Sequence, residues 1–294
     1  MLIDSFLDYI RYERNLAERT IEEYGSDLAQ FRDFVCSSGE EEIELDAVTP
    51  EMVREWIISM MDRGLLSSTV NQKLSSLRAF YKYLLRMGKI GKDPLRKVTG
   101  PKKNKPLPAF VREADMNRLL DDTDFGEGFT GCRNHLMIEM FYVTGMRMAE
   151  LIGLKDNDID LAVMQMKVTG KRNKQRIIPF GEELKTSILE YLNIRSETLV
   201  EKPEAFFVRE SGRQLPRGLV YNVVKENLSK VVTQKKRSPH VLRHTFATTM
   251  LNNEAEIGAV KELLGHASLA TTEIYTHTTF EELKKVYKQA HPRA

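Results

Sequence analysis

Ser238-Pro239-His240-Val241-Leu242-Arg243-His244-Thr245-Phe246 is the stretch around which the rest of the chain is organised. Ser238 is placed to cap a helix whose first-turn residue is Pro239, because proline's missing N–H falls where a helix leaves donors unpaired in any case. On that helix His240 and Arg243 stand three apart, on one face. Such a pair offers a proton-transfer group and a guanidinium fork to one phosphate. Taken alone, the two residues fit a solvated helix face equally well. Leu264-Gly265-His266 and Ile274-Tyr275-Thr276-His277 follow, and they add His266 and Tyr275 as candidates for chemistry at a phosphate.

Upstream, a buried helix around Arg133 to Val143 runs into Thr144-Gly145-Met146-Arg147-Met148-Ala149-Glu150-Leu151. Gly145 permits a tight turn, and Arg147 then opens a short helix, where a guanidinium and unpaired N–H groups together suit a phosphate. The competing reading is a surface arginine paired with Glu150. Short apolar runs follow at Asp158 to Leu161, Val163 to Val168 and Gln175 to Pro179. The last two flank Thr169-Gly170-Lys171-Arg172-Asn173-Lys174, a β-hairpin signal with Gly170 and Asn173 as residues able to take positive φ. A basic tip suits a DNA groove, and a mobile lysine there could protonate a leaving alkoxide. Helices are expected from about Glu182 to Arg195, from Arg217 to Val232 and from Ile257 to Leu264, where Gly265 ends the helix. Ala205 to Val208 is expected to form a short strand. A last helix, from about Phe280 to Ala290, carries the apolar stripe Leu283, Val286 and Tyr287 and either folds back or docks on a neighbouring subunit.

The first hundred residues read as four amphipathic helices. Leu2, Ile3, Phe6, Leu7 and Ile10 mark the first, and a capping box of Thr20 and Glu23 is expected to open the second. Thr49-Pro50 starts a third, and the fourth runs from about Ser68 to Arg86 with Gly88 as its C-cap. Arg78, Lys82 and Arg86 lie along one side of that fourth helix, as a phosphate stripe would, although a solvated face explains them as well. Between Asp93-Pro94 and Pro108, prolines alternate with Lys97, Lys102, Lys103 and Lys105, which reads as an extended basic linker. The expected organisation is a helical domain over 1–97, a linker over 98–109 and a second, helix-rich domain over 110–294.

A chain of 294 residues is long enough for two cores. Its net charge of +2 says little about partners, but clustered lysines and arginines beside acidic stretches suit a phosphate-backbone footprint. No apolar run is long enough to span a bilayer and the N-terminus lacks a signal peptide's pattern, so no membrane contact is expected. The two cysteines, Cys36 and Cys132, lack metal-ligand spacing and are expected to be reduced in the cytoplasm. His240 and His244 stand four apart, but no Glu follows His240 and no third ligand is evident, so no metal site is expected.

Thr144-Gly145-Met146-Arg147, Gly170-Lys171, Pro239 to His244, Leu264-Gly265-His266 and Ile274 to His277 stand in the order and spacing of the tyrosine recombinases, and among them the chain resembles the Xer-type site-specific recombinases. The resemblance covers nearly the whole chain. It implies a mainly α, two-domain fold: an all-α four-helix SAM-like core-binding domain, then a helix-rich catalytic domain with a small antiparallel β-sheet or hairpin. It implies that Tyr275 attacks the scissile phosphate to form a 3′-phosphotyrosyl enzyme. Arg147 and Arg243 match the arginines on the non-bridging oxygens, and Lys171 matches the lysine that protonates the leaving 5′-oxygen, with Lys174 the neighbouring candidate. His240 matches the residue assisting proton transfer at the tyrosine, and His266 the one supporting the phosphate. Arg78, Lys82, Arg86, Lys102, Lys103, Lys105, Arg172 and Lys174 are the candidates for further DNA contact.

The family chemistry needs no metal, cofactor or ATP, because arginines stand where a cation would and the covalent intermediate keeps the bond energy. The partners implied are double-stranded DNA with a partly palindromic site, a homo- or heterotetramer with a related recombinase to which the C-terminal helix is donated, and a DNA translocase at the septum. Resolution of chromosome dimers at division is the role expected. The alternatives are an integrase or invertase of a mobile element with the same chemistry, a DNA-binding protein that does not cut, and a type IB topoisomerase. A chain that starts directly at its first core-binding helix favours the Xer-like reading over integrases with an added arm-binding domain.

Overall fold

The computed structural model describes residues 2–37, 44–102, 109–170, 173–265 and 280–294. The chain divides into two compact units, Met1–Pro106 and Leu107–Ala294. The first unit packs α1 (Leu2–Asp8, continued by a π-turn over Tyr9–Glu13), α2 (Glu18–Ser37), α3 (Pro50–Asp62) and α4 (Ser67–Arg86) around one core. Phe6, Leu28, Phe31, Trp56, Leu77 and Tyr81 are buried there, with the Phe31 and Trp56 rings edge to face at 4.9 Å. The start of α3 follows from local chemistry: Pro50 leads and the Thr49 hydroxyl accepts from Met52 N–H at 3.4 Å.

The expected capping box at Thr20 and Glu23 does not form. Helix α2 begins earlier, at Glu18, and the Thr20 N–H already bonds Ala17 O at 2.8 Å. Glu23 instead pairs with Arg19 one turn back, at 3.1 Å. The first unit's packing also runs past residue 97. Val98 is buried, its carbonyl accepts from Arg78 at 3.1 Å, and Pro101 O accepts from Asn71 at 2.8 Å. Arg78 is therefore engaged in holding the chain after α4. Arg86 lies over the Tyr9 ring and donates to its hydroxyl, while Lys82 and Lys102 are exposed.

The second unit contains α5 (Glu113–Asp121), α6 (Gly128–Thr144), α7 (Met148–Ile152), β1 (Ile159–Asp160), β2 (Gln165–Thr169), β3 (Gln175–Pro179), α8 (Glu182–Thr198), α9 (Arg217–Val231), α10 (Pro239–Asn252), α11 (Ile257–Leu264) and α12 (Phe280–Ala290). Leu136 to Val143 of α6 are all but fully buried because they are apolar around the whole helix, with the single exception of Glu139. Helices α8 and α10 pack on α6. The sheet is antiparallel in the order β1-β2-β3, with Met166, Val168 and Ile178 turned inward. The hairpin forms where expected, although its first arm is Gln165–Thr169 rather than 163–168. Asn173 takes positive φ at 57°, but Gly170 does not. The stretch from Ala205 to Val208 is no strand: only Val208 pairs, in an isolated bridge to Gln214. Among the described residues no helix is long and apolar enough to cross a membrane.

Helix α12 folds back on its own unit. Leu283, Tyr287 and Ala290 are buried, and α12 packs against α10, α11 and β3. His291 follows, stacked on Phe246 and Tyr287 and edge-on to Tyr142. Burial, opposed by the Tyr142 backbone and reinforced by the Arg293 charge, lowers its pKa from 6.5 to about 4. The folded state therefore needs the neutral ring, and the unfolded chain takes up the proton first as pH falls. Stability is unaffected above pH 6.5 and is lost between 6.5 and 4, by about 3 kcal/mol in all. Denaturant titrations across this window should show the loss, and His291→Phe should remove it. An unchanged slope in the variant would mean other groups cause it.

Candidate active site

The site is built where four segments converge. Gly145 ends α6 in the left-handed region at φ 59°. A side chain there would also clash, since an added Cβ would lie 2.5 Å from the Phe246 ring and 2.9 Å from Leu264. Only glycine permits both the turn and the close approach of α10 and α11. The turn delivers Arg147 as the N-cap of α7, as its sequence position suggested.

Arg147 does pair with Glu150, as the competing reading had it, but this is no surface ion pair. The Glu150 side chain is 1% exposed. Its carboxylate accepts from the Arg147 backbone N–H at 2.7 Å and from Nη1 at 2.8 Å. The same carboxylate receives a fork from Arg176 of β3, Nη1 at 2.7 Å and Nη2 at 2.9 Å. Burial alone would raise the Glu150 pKa, but the hydrogen bonds and charge of Arg176, then those of Arg147, reverse it and hold it at about 2. Glu150 stays ionised and keeps the two guanidinium groups close together.

Arg243 reaches the same place from α10. It is buried, and it donates to Gly145 O at 2.6 Å and Leu264 O at 2.5 Å. Three consecutive carbonyls at the end of α11 each receive a different arginine. Leu263 O takes Arg176 Nε at 2.6 Å, Leu264 O takes Arg243, and Gly265 O takes Arg147 Nη2 at 3.1 Å. A helix end leaves these carbonyls without partners and carries partial negative charge, so it attracts the cations. Desolvation, then the charges of Arg147 and Arg176, lowers the Arg243 pKa to about 10, while Glu150 opposes them. Arg243 is still protonated at neutral pH. Three guanidinium groups against one carboxylate leave positive charge in excess, which suits an anion such as a phosphodiester.

His240 lies on the exposed side of α10, one turn before Arg243, and His244 is exposed as well. Ser238 occupies the N-cap position ahead of Pro239, but its hydroxyl makes no cap bond; its carbonyl accepts from Val241 instead. Lys174 is exposed on the hairpin, with its carbonyl bonded to Gly170 N–H at 2.7 Å. Lys171, Arg172, His266, Tyr275, Lys103 and Lys105 lie outside the described residues. Sequence reasoning underrated Glu150 and Arg176. Glu150 entered only as an alternative partner for Arg147, and Arg176 was not among the candidate site residues. The available signal was Glu150's place three residues after Arg147, where a carboxylate reaches back to the helix's first N–H.

Residues 109–282 match the model of the phage integrase family, and residues 3–88 match its N-terminal SAM-like domain. Tyrosine recombinase XerC of Chlorobaculum tepidum is 35% identical over 318 residues, covering 99% of this chain and 94% of that protein. Its counterpart in Bacillus licheniformis is 37% identical over 294 residues, covering 98% and 95%. The crystal structure of XerH site-specific recombinase bound to difH substrate shares the fold at a TM-score of 0.70 and 24% identity, covering 96% of this chain and 83% of that one. The arginine cluster thus lies inside a match that spans the chain from end to end, and the protein belongs to the phage integrase family as a Xer-type tyrosine recombinase.

Proposed function

We propose that this recombinase cuts and rejoins DNA through a 3′-phosphotyrosyl intermediate at Tyr275 and acts on a dif-like site to resolve chromosome dimers. The observation that carries the reading is the convergence of Arg147 and Arg243 on the end of α11, immediately before His266 in the chain. A phosphodiester placed there would meet both guanidinium groups as negative charge builds on its non-bridging oxygens. The Tyr275 oxygen attacks phosphorus, with His240 taking part in moving its proton. The P–O5′ bond breaks, and the O5′ takes a proton from Lys171. His266 supports the phosphate. Rejoining reverses the step with a 5′-hydroxyl from another strand, so no external energy source is consumed. Arg172, Lys174, Lys82 and the linker lysines add phosphate contacts. A tetramer with a related recombinase, and control by a septal DNA translocase, complete the role. What supports the Xer-type part of this reading is the likeness to the relatives named tyrosine recombinase XerC.

The test is covalent trapping on a nicked duplex carrying the host's dif-like site, with the partner recombinase present. Wild type is expected to yield an adduct on the 3′ side of the break, and Tyr275→Phe none. An adduct that survives Tyr275→Phe would place the nucleophile elsewhere. Trapping on mobile-element ends but not on the chromosomal site would change the biological role and leave the chemistry standing.

A further inference from the structure

We propose that Arg176 is a positioning residue for the leaving-group step: it straps the β2–β3 hairpin to Glu150 and α11, and so sets the hairpin relative to Arg147 and Arg243. The inference rests on the reading of Lys171 as the proton donor, since the hairpin is where Lys171 stands in the chain. The hairpin meets the Glu150 carboxylate. The β3 arm does so through the two-pronged Arg176 fork, from a side chain only 12% exposed. Just past the end of β2, Gly170 lies beside that carboxylate: an added Cβ there would come within 3.1 Å of Glu150 Oε1. The arms are tied to each other by Val168 opposite Arg176 in the register and by Gly170 N–H on Lys174 O at 2.7 Å.

Arg176 also spans to the other side of the site. Its Nε donates to Leu263 O at 2.6 Å, and its side chain lines Gly265, where an added Cβ would lie 3.0 Å from Arg176 Cδ. One planar group therefore joins the hairpin, α7 and the end of α11. Lysine, with a single head group, cannot reproduce a fork and a third bond in a different direction. Because its donors are turned to Glu150 and Leu263, Arg176 is placed to act through the hairpin. Proton donors misplaced by about 1 Å lose on the order of 100-fold in rate.

Replacing the 5′-bridging oxygen by sulfur separates this role from a structural one. With oxygen, the electron pair of the breaking P–O5′ bond goes to an alkoxide that needs a proton. With sulfur, it goes to a thiolate that leaves without one. The measurement is the ratio of cleavage rates on sulfur and oxygen versions of one nicked duplex carrying the dif-like site. A ratio does not depend on how much of a variant is folded. Arg176→Gln should slow the oxygen substrate about 100-fold and cleave the sulfur substrate at near the wild-type rate. Lys171→Ala should behave alike, and Arg147→Ala should stay slow on both. If Lys171→Ala is rescued by sulfur and Arg176→Gln is not, the inference fails while the reading of Lys171 stands. If Lys171→Ala is not rescued, that reading fails and the inference with it. Should Arg176→Gln not accumulate, Arg176→Lys is tested in the same way: rescue by sulfur supports the strap, and equal slowing on both substrates overturns it.

Discussion

Arg243→Ala is expected to lower DNA cleavage about 1000-fold or more, the scale on which arginines act when they stabilise charge on a transferring phosphoryl group. The reason lies in how the side chain is held. Its guanidinium is buried and already positioned by the carbonyls of Gly145 and Leu264, so little reorganisation is needed when negative charge develops. Removal also leaves two buried carbonyls unpartnered, which costs about 1–3 kcal/mol each unless water enters. Arg243→Lys keeps the charge but cannot bridge two carbonyls and a phosphate at once, so it should recover little activity. Cleavage should be followed as single-turnover adduct formation at saturating protein, with denaturant midpoints for stability. Arg243→Ala cleaving within about tenfold of wild type would remove Arg243 from the chemistry. Near-complete recovery by Arg243→Lys would mean that charge alone matters there.

Glu150→Gln should give the second large effect, and mainly in stability. The substitution keeps the shape but takes the one carboxylate from among three arginines. Breaking a buried ion pair on one side costs about 3–5 kcal/mol, because the remaining charges are left uncompensated. The pH dependence has a definite sign. Glu150 is lowered from 4.5 to about 2 in the folded state, so its contribution is fully present above pH 4.5 and is lost as pH falls toward 2. Acid unfolding of wild type should show this arm, and Glu150→Gln should lack it. Cleavage should also drop, since the backbone N–H and Nη1 of Arg147 bond different oxygens of Glu150 and the amide keeps only one acceptor for them. A variant as stable as wild type at neutral pH, with the same acid transition, would show that the arginines tolerate one another without the carboxylate.

The motifs at Arg147, Arg243 and Gly265 were legible because each is a local matter. A glycine at a helix end, a proline at a helix start and an arginine at a fixed offset from either can be read within a few residues. The same holds for the first unit, where apolar residues recur at helical spacing and Thr49-Pro50 announces α3. Where local signals competed, the reading slipped. Thr20 and Glu23 have the spacing of a capping box, but residues from Glu18 onward were already able to propagate the helix. Gly170 looked like a turn glycine, whereas what it supplies is room beside Glu150.

The amino-acid sequence alone determined the two-part helical plan, the hairpin and the motif positions on which the chemistry is proposed, because short-range sterics, capping and periodicity specify them. Only the tertiary structure decided that Glu150 is buried between two arginines, that Arg176 joins the hairpin to α11, and that three carbonyls of one helix end hold three guanidinium groups. Those relations connect residues from 145 to 265 through charge and hydrogen bonding in space, and no spacing along the chain encodes which of the many arginines will meet.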